Sequence, residues 1–141
     1  MLRLPAAEAP EAQEPVAALA VEQGLRQRIL VVDDNIDAAE SLGTMLAYSG
    51  HDVRVAHGGV EALSTAREFV PNVMILDLGM PEMDGYAVAR AVRSDPKFAS
   101  TRLIALSGYG QPDDRRRTAD VGFDEHLVKP VEHDVLNAAL G

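Results

Sequence analysis

The chain has 141 residues, of which 47% are hydrophobic and 25% are charged, so it is long enough for one domain with a substantial core and a terminal extension. Its formal net charge of -9 argues against nucleic-acid binding as its main role, because neutralising phosphates requires a basic surface. The absence of Cys excludes disulfides and Cys-based zinc sites and is consistent with a reducing cytoplasm. No apolar run approaches the roughly 20 residues of a membrane span, so we expect no direct membrane contact.

Residues 1–27 are rich in Ala, Glu and Pro, and prolines recur at Pro5, Pro10 and Pro15. Such a segment cannot bury enough apolar surface to offset the entropy lost on ordering. We therefore predict a flexible linker, with a helical turn near residues 16–25 as the one element in it. The folded domain is predicted to occupy residues 28–141.

From residue 28 onward, short apolar runs alternate with segments of helical periodicity, which predicts five β-α units. Strands are predicted at 29–32, 53–56, 73–76, 103–106 and 127–128. The first helix is predicted over 35–49, and the others begin after Gly59, at Asp84, near Pro112 and after Pro130.

Alternating β-α units imply parallel strands joined by right-handed crossovers, with two helices on one face of the sheet and three on the other. The expected fold is an α/β, flavodoxin-like three-layer (βα)5 sandwich with a parallel five-stranded sheet of order 2-1-3-4-5. The residues predicted to face the sheet are Ala38, Ala39, Leu42, Met45 and Leu46 in the first helix, Val60, Leu63, Ala66 and Phe69 or Val70 in the second, Val88, Ala91 and Val92 in the third, and Val135, Leu136, Ala139 and Leu140 in the last.

The third apolar run, residues 73–76, leads directly to Asp77 and stops at Gly79 and Pro81. Consecutive apolar residues are typical of a strand that is covered on both faces, which predicts a central position in the sheet. Ligands and chemistry in open α/β sheets are found just beyond the carboxyl ends of the strands. Asp77 is therefore the first candidate for a functional residue.

Each candidate residue also has an ordinary structural explanation. Asp34 and Asn35 at a helix start are most often a helix cap, and Asp77 alone is equally consistent with a cap or a turn residue. Lys129 alone is typical of a surface lysine, and Ser107 followed by Gly is a loop signature. Convergence favours function, because the ends of four predicted strands meet at one edge of the sheet. They bring together Asp33, Asp34, Asp77, Ser107 and Lys129.

Three neighbouring carboxylates repel one another and raise the pKa of at least one of them unless a cation is bound. Mg²⁺ suits such a site because it prefers oxygen ligands and keeps several waters. Lys129 offers a positive charge and Ser107 a hydroxyl donor to phosphoryl oxygens. The residues therefore predict a phosphoryl-transfer site with a carboxylate nucleophile.

From about residue 27 to residue 140 the chain resembles the receiver domains of two-component response regulators. Asp33 and Asp34 match the acidic pair of that family, Asp77 its phospho-accepting aspartate, Ser107 its Thr or Ser, and Lys129 its lysine, which Pro130 follows.

The resemblance implies that Asp34, Asp77 and the backbone carbonyl of Gly79 bind Mg²⁺, with Asp33 acting through water. It implies a cis peptide bond between Lys129 and Pro130. It also implies that the phosphoryl group comes from a histidine kinase or a histidine phosphotransfer domain in the cytoplasm. No separate enzyme activity is expected beyond self-catalysed phosphotransfer and autodephosphorylation.

Two features depart from the family pattern. His126 stands where the family usually has Tyr or Phe, and we expect it to form the switch together with Ser107. Gly79 lacks a side chain two positions after the acceptor, and Tyr109 lies two positions after Ser107; in this family both positions tune the lifetime of the phosphoryl group.

The segment Met1–Pro5 resembles the final strand of a histidine-kinase ATP-binding domain, and residues 108–111 and 126–131 are similar to receivers at the C-termini of hybrid kinases. We therefore expect the C-terminal receiver of a hybrid sensor histidine kinase, with no output domain after Gly141. The alternative is a stand-alone response regulator that acts as a binding module or a phosphate sink.

Functions from other classes fit the sequence less well. A haloacid-dehalogenase-type phosphatase needs a second Asp two residues after the nucleophile, and Gly79 occupies that position. A nucleotide-binding domain would have a Gly-rich or hydroxyl-rich loop after the first strand, where this chain has acids. Arg115–Arg117 is a short basic run, which is typical of a solvated or partner-binding helix face rather than a nucleic-acid site.

Overall fold

The computed structural model describes residues 26–108 and 114–140, apart from the side chains of Asp114 and Arg115. Strands and α-helices alternate along these residues, and a short 3-10 helix (Pro96–Phe98) precedes the fourth strand. The strands are β1 (Arg28–Val32), β2 (Asp52–Ala56), β3 (Val73–Asp77), β4 (Arg102–Ser107) and β5 (Glu125–Val128). The helices are α1 (Ile36–Tyr48), α2 (Gly59–Phe69), α3 (Gly85–Arg93), α4 (Asp114–Val121) and α5 (His133–Leu140).

The five strands form one parallel sheet of order β2-β1-β3-β4-β5, which confirms the predicted topology. β3 lies in the centre, and all of its residues are buried. The register pairs Val32 with Leu76 and Asp77 with Leu106, so the strands reach the same edge of the sheet. The amide of Leu78 continues the ladder by donating to the carbonyl of Leu106 at 2.9 Å.

Helices cover both faces of the sheet. Successive side chains of a strand point to opposite faces, and both sets are apolar here, so each face needs a covering layer. Leu30, Met74 and Leu103 pack on the side of α2, α3 and the end of α4. Their neighbours Ile29 and Ile75 pack on the side of α1 and α5. The predicted division of three helices and two is therefore confirmed.

Four positions that were predicted to face the sheet are instead exposed: Val60 (71%), Val135 (46%), Ala38 and Ala91. In α2 the buried face is shifted from Val60 toward smaller residues. Gly59 lies against Met83, and an added Cβ there would come within 2.6 Å of that side chain. Close packing against Met83 therefore requires a small residue at position 59, and the helix buries the face that carries Gly59 while Val60 is exposed. The buried residues of this helix are Gly59, Ala62, Ala66 and Phe69.

Two helix caps define how the chain leaves the strand ends. The side chain of Asn35 accepts from the amide of Ala38 at 3.0 Å and caps α1. The side chain of Asp84 accepts from the amide of Ala87 at 2.9 Å and caps α3. Because Asn35 fills the capping role, the carboxylate of Asp34 is not the cap of α1.

Several predictions concern residues outside the described ranges. They are the linker over residues 1–25 with its helical turn near 16–25, the helix start at Pro112, and Tyr109. Within residues 26–108 and 114–140, no helix is long and apolar enough to cross a membrane.

Gly85 allows the first turn of α3 to approach the end of β3, and this contact gives a test of the fold. An added Cβ would lie 2.7 Å from the carbonyl oxygen of Asp77 and 3.0 Å from the Cα of Leu78, both of which are backbone atoms. We expect Gly85→Ala to lower the free energy of unfolding by about 1–3 kcal/mol, because the backbone must shift. Urea denaturation measures this change.

Gly58→Ala is the matched control, because a Cβ at Gly58 meets nothing within 4 Å and the residue is extended, with φ of -168°. This variant should lower the free energy of unfolding by about 0.5–1 kcal/mol, because Ala is a poorer N-cap than Gly and no steric strain is added. Equal losses in the two variants would contradict the close approach at Gly85.

Candidate functional site

The predicted site residues meet at the carboxyl edge of the sheet. Asp33 and Asp34 follow β1, and Asp77 is the last residue of β3. One carboxylate oxygen from each of these three residues lies within 4.8 Å of the others. Asp33 and Asp77 are 3% and 7% exposed, whereas Asp34 is open to solvent. The cluster therefore has two buried carboxylates and one that faces outward.

The ammonium group of Lys129 lies between the two buried carboxylates. Its Nζ donates to Oδ2 of Asp33 at 2.9 Å and is 3.3 Å from Oδ1 of Asp77. Burial lowers the pKa of Lys129, but the hydrogen bond to Asp33 and the charge of Asp77 outweigh it, so the pKa is raised overall. Lys129 is therefore a fixed positive charge in this site.

Asp77 remains only partly compensated by this charge. Burial raises its pKa, and the charge of Asp33 adds to that effect. The Gly79 amide, which donates to Oδ1 of Asp77 at 3.2 Å, and the ammonium of Lys129 lower the pKa without cancelling the rise. The ionised form of Asp77 is thus less favourable in the protein than in water, and a further cation would stabilise it.

Both carboxylate oxygens of Asp33 are engaged by the protein. Oδ1 accepts from the amide of Asn35 at 2.9 Å, and Oδ2 accepts from Lys129. The backbone of Asp33 is held as well, because its amide donates to the carbonyl of Ala56 at 3.1 Å and its carbonyl lies 3.3 Å from Nδ1 of His57. The carboxylate therefore has a defined orientation before anything binds.

His57 was not predicted as part of the site. It follows β2, and its Nε2 lies 3.8 Å from a carboxylate oxygen of Glu40 on α1. The sequence carries one signal that could have identified it, since β2 neighbours β1 in the predicted strand order and its end must therefore lie beside Asp33.

Ser107 ends β4 and is almost fully buried, with 2% of its surface exposed. Its Oγ is 2.7 Å from Nε2 of His126 on β5. The other ring nitrogen, Nδ1, is 3.2 Å from Oγ1 of Thr118 on α4, a residue that is also 2% exposed. Ser107 and His126 were predicted to act together, but Thr118 was missed, because only the packing of α4 on the sheet brings it to the ring.

The backbone near Asp77 and Lys129 has three further features. An added Cβ at Gly79 would meet only Oδ1 of Asp77, at the ordinary contact distance of 3.9 Å, so there is room for a side chain at this position. The Lys129–Pro130 peptide bond is cis. The carbonyl of Ser107 accepts from the amide of Lys129 at 3.0 Å and ties the end of β5 to the end of β4.

The basic run on α4 differs from a uniformly solvated face. The guanidinium carbon of Arg117 lies 3.8 Å from the ring centroid of Tyr86, which is the geometry of a cation-π contact. Tyr86 packs edge-to-face on Phe123, with ring centroids 6.4 Å apart. Arg117 therefore helps to fasten α4 to α3.

A family model for the response regulator receiver domain matches residues 29–141. The chain belongs to this family. It is a receiver domain of two-component signalling, and solved receivers share its fold. The chemotaxis protein CheY4 of Vibrio cholerae superposes with a TM-score of 0.77 at 30% identity, covering 82% of this chain and 96% of that one. A receiver domain of a signal transduction histidine kinase from Syntrophus aciditrophicus gives a TM-score of 0.73 at 32% identity, covering 81% and 86%.

Curated relatives of this receiver differ widely in length. An uncharacterized 14.6 kDa protein from the sodA1 3' region of Leptolyngbya boryana is 40% identical over 104 residues, which are 74% of this chain and 79% of that protein. The gliding motility regulatory protein of Myxococcus xanthus is 36% identical over 74% of this chain, but only 13% of that protein is covered. The probable transcriptional regulator ycf27 of Guillardia theta is 33% identical over 86% of this chain and 47% of its own length.

The raised pKa of Asp77 leads to a test by stability. A raised pKa in the fold means that Asp77 stabilises the protein below its ordinary value of 3.8 and that this contribution is lost as pH rises through the folded value. Without metal, Asp77→Asn should therefore melt at a higher temperature than the parent at pH about 7, and the difference should shrink toward pH about 4. Thermal melts across this range measure it, and a variant that is less stable than the parent at neutral pH would contradict the direction of the shift.

Proposed function

We propose that this receiver accepts a phosphoryl group from a phosphohistidine onto Asp77, with Mg²⁺ as cofactor. The observation that supports the proposal is the meeting of three carboxylates within 4.8 Å with the ammonium of Lys129 between two of them. Asp77 is the nucleophile because it ends the central strand, beside the other two carboxylates. Ser107 and Lys129 are the groups that meet the phosphoryl oxygens.

In the proposed transfer, a carboxylate oxygen of Asp77 forms a bond to phosphorus as the bond from phosphorus to the histidine nitrogen of the donor breaks. The electron pair of that bond stays on the departing imidazole. Lys129 already contacts Asp77, so its charge is in place for the phosphoryl oxygens. Chemistry of this kind depends on positioning and charge stabilisation, which rigid strand ends supply.

The donor set fits a hard divalent cation. It consists of carboxylate oxygens, and the metal-ligating cluster found among the described residues contains no His. Asp34, Asp77 and the backbone carbonyl of Gly79 are the proposed ligands. Asp33 acts through water in this proposal, because both of its oxygens are already used by Asn35 and Lys129. The bound cation would neutralise the crowded carboxylates and the incoming phosphoryl oxygens.

A small-molecule phosphodonor such as acetyl phosphate, supplied with Mg²⁺, should add one phosphoryl group to the parent, and Asp77→Asn should accept none. Intact mass spectrometry measures the mass gain. Asp95→Asn is the matched control, since Asp95 caps the 3-10 helix before β4 and an Asn can cap equally well. This variant should be phosphorylated to the same extent as the parent. Labelling of Asp77→Asn at another residue would contradict the assignment of the acceptor.

Asp34→Ala should abolish the stabilisation that millimolar Mg²⁺ gives the parent while the fold stays intact. The physical reason is that Asp34 is the exposed carboxylate of the cluster, and removing it relieves repulsion in the metal-free protein. Thermal melts with and without Mg²⁺ measure both effects. Asp37→Ala, which removes another exposed acid from the first turn of α1, should keep the Mg²⁺ response. An unchanged response in Asp34→Ala would show that the ligand is wrongly assigned.

The proposed domain boundaries are a flexible linker over 1–27 and a receiver over 28–141, and the proposed location is the cytoplasm. We propose a histidine kinase or a histidine phosphotransfer domain as the partner. Likeness to a receiver from a histidine kinase supports an origin in a hybrid sensor kinase. The alternative is a free-standing receiver that serves as a binding module or a phosphate sink. The net charge of -9 supports a receiver that does not itself contact nucleic acid, although relatives of twice its length include transcriptional regulators.

Phosphotransfer profiling distinguishes these origins. The receiver would be incubated with phosphorylated candidate kinases and phosphotransfer domains, and early transfer rates would be compared. A strong preference for a kinase that shares one polypeptide with this receiver supports the hybrid origin. A preference for a kinase that is a separate polypeptide supports the stand-alone alternative.

A further inference from the structure

The imidazole of His126 lies between two buried hydroxyl groups. Its Nε2 is 2.7 Å from Oγ of Ser107, at the phosphoryl site, and its Nδ1 is 3.2 Å from Oγ1 of Thr118, on α4. A Phe at this position could make neither hydrogen bond. The ring is therefore connected to the reaction site through the one proton that the Ser107 hydroxyl carries.

The direction of that proton depends on the state of Nε2. An unprotonated Nε2 accepts the hydrogen bond from Ser107, and the hydroxyl then turns only lone pairs toward the acidic site. A protonated Nε2 donates to Oγ of Ser107 instead, and the hydroxyl proton becomes available to an anionic oxygen. A phosphoryl group on Asp77 favours the second arrangement, because lone pairs facing its oxygens would be repulsive.

We propose that His126 is a positioning residue that directs the Ser107 hydroxyl, and that occupancy of the site by a phosphoryl group is coupled to a proton on Nε2 of His126. The coupling rests on the proposed role of Asp77 as phosphoryl acceptor. In this proposal the neutral ring carries its proton on Nδ1, where it donates to Oγ1 of Thr118. The proton that Nε2 gains therefore comes from solvent and makes the ring cationic, and no bond other than this N–H is made. Linkage requires reciprocity, so an occupied site raises the pKa of His126 and a lower pH strengthens occupancy.

Several charged residues lie on the elements around the ring. Toward the site, Ser107 separates the ring from Asp77 and from the ammonium of Lys129, which contacts both Asp77 and Asp33. The neighbouring Glu125 points to the opposite face of the sheet, 3.9 Å from Arg102. On α4, the guanidinium of Arg117 lies over Tyr86. The other charged residues of this helix are Asp114, Arg115, Arg116 and Asp120.

The test uses the full chain with Mg²⁺ and beryllofluoride, a stable mimic of the phosphoryl group. Nitrogen-15 NMR of the histidine rings reports both the protonation of Nε2 and the titration midpoint of His126. We expect saturating mimic to move Nε2 to its protonated chemical shift and to raise the midpoint. The affinity of the parent for the mimic is divided by that of His126→Phe at the same pH. This ratio should rise as the pH is lowered from about 8 to about 5.5, by about tenfold for each pH unit by which the mimic raises the His126 midpoint.

Two variants separate the proposed path from simpler effects. His126→Phe keeps an aromatic ring but cannot titrate, so it corrects for the pH dependence of the mimic and of Mg²⁺ binding. Ser107→Ala keeps the titrating ring but removes the hydroxyl, so its His126 midpoint should not respond to the mimic. The same midpoint shift in Ser107→Ala as in the parent would overturn the proposal, because the coupling would then be a field effect of the bound anion.

The remaining outcomes are also decisive. Binding of the mimic to the parent, seen in the amide resonances of Asp77 and Ser107, with an unchanged His126 midpoint would overturn the coupling and leave the proposed function standing. This holds also if the ring proton merely moves from Nδ1 to Nε2, because such a change takes up no proton. Absence of binding at every pH would overturn the proposed function and the coupling with it.

Discussion

The ammonium of Lys129 is the interaction on which the rest of the site depends. Two carboxylates that are almost fully buried would otherwise face each other at the end of the sheet, and buried like charges are costly. Contacts of 2.9 Å to Asp33 and 3.3 Å to Asp77 relieve this repulsion. The parallel topology makes the arrangement possible, because β1, β3 and β5 all deliver their last residues to the same edge.

Lys129 compensates the negative charges of the two buried carboxylates only in part. Lys129 and Asp33 satisfy each other closely, whereas Asp77 keeps a raised pKa. Asp33 therefore has its charge balanced within the protein, whereas Asp77 would be stabilised further by an additional positive charge. A receiver needs such an asymmetry, because a carboxylate that was fully neutralised by its neighbours would have little to gain from a cation or from a phosphodonor.

Much of this arrangement follows from local sequence. Apolar runs that end in Asp33, Asp77 and Ser107 predicted both the strand order and the meeting of these side chains, since parallel strands end at a common edge. Contacts between elements that are distant in the chain could not be predicted in the same way. Thr118, for example, reaches His126 only after α4 has packed on the sheet.

Helix faces show the same limit in another form. Helical periodicity ranks positions by hydrophobicity, so it favoured Val60 over the adjacent Gly59. For the same reason it predicted Val135 to face the sheet. Packing weighs them by volume as well, and α2 approaches its neighbours closely enough that Gly59 lies against Met83. The positions of the strand ends were predictable because they follow from the order of the strands in the sequence. The rotation of a helix about its axis depends instead on how its side chains pack against neighbouring elements.

The contact between Lys129 and Asp33 joins residues that are 96 positions apart. A ribosome makes both acidic strand ends well before it makes the lysine that separates their charges. A nascent chain that has reached only β4 therefore holds Asp77 beside negative charges that no lysine yet relieves. The last strand, and not the strand that carries Asp77, completes the electrostatic balance of the site, so a prematurely ended chain would lose the site before it lost the central strands.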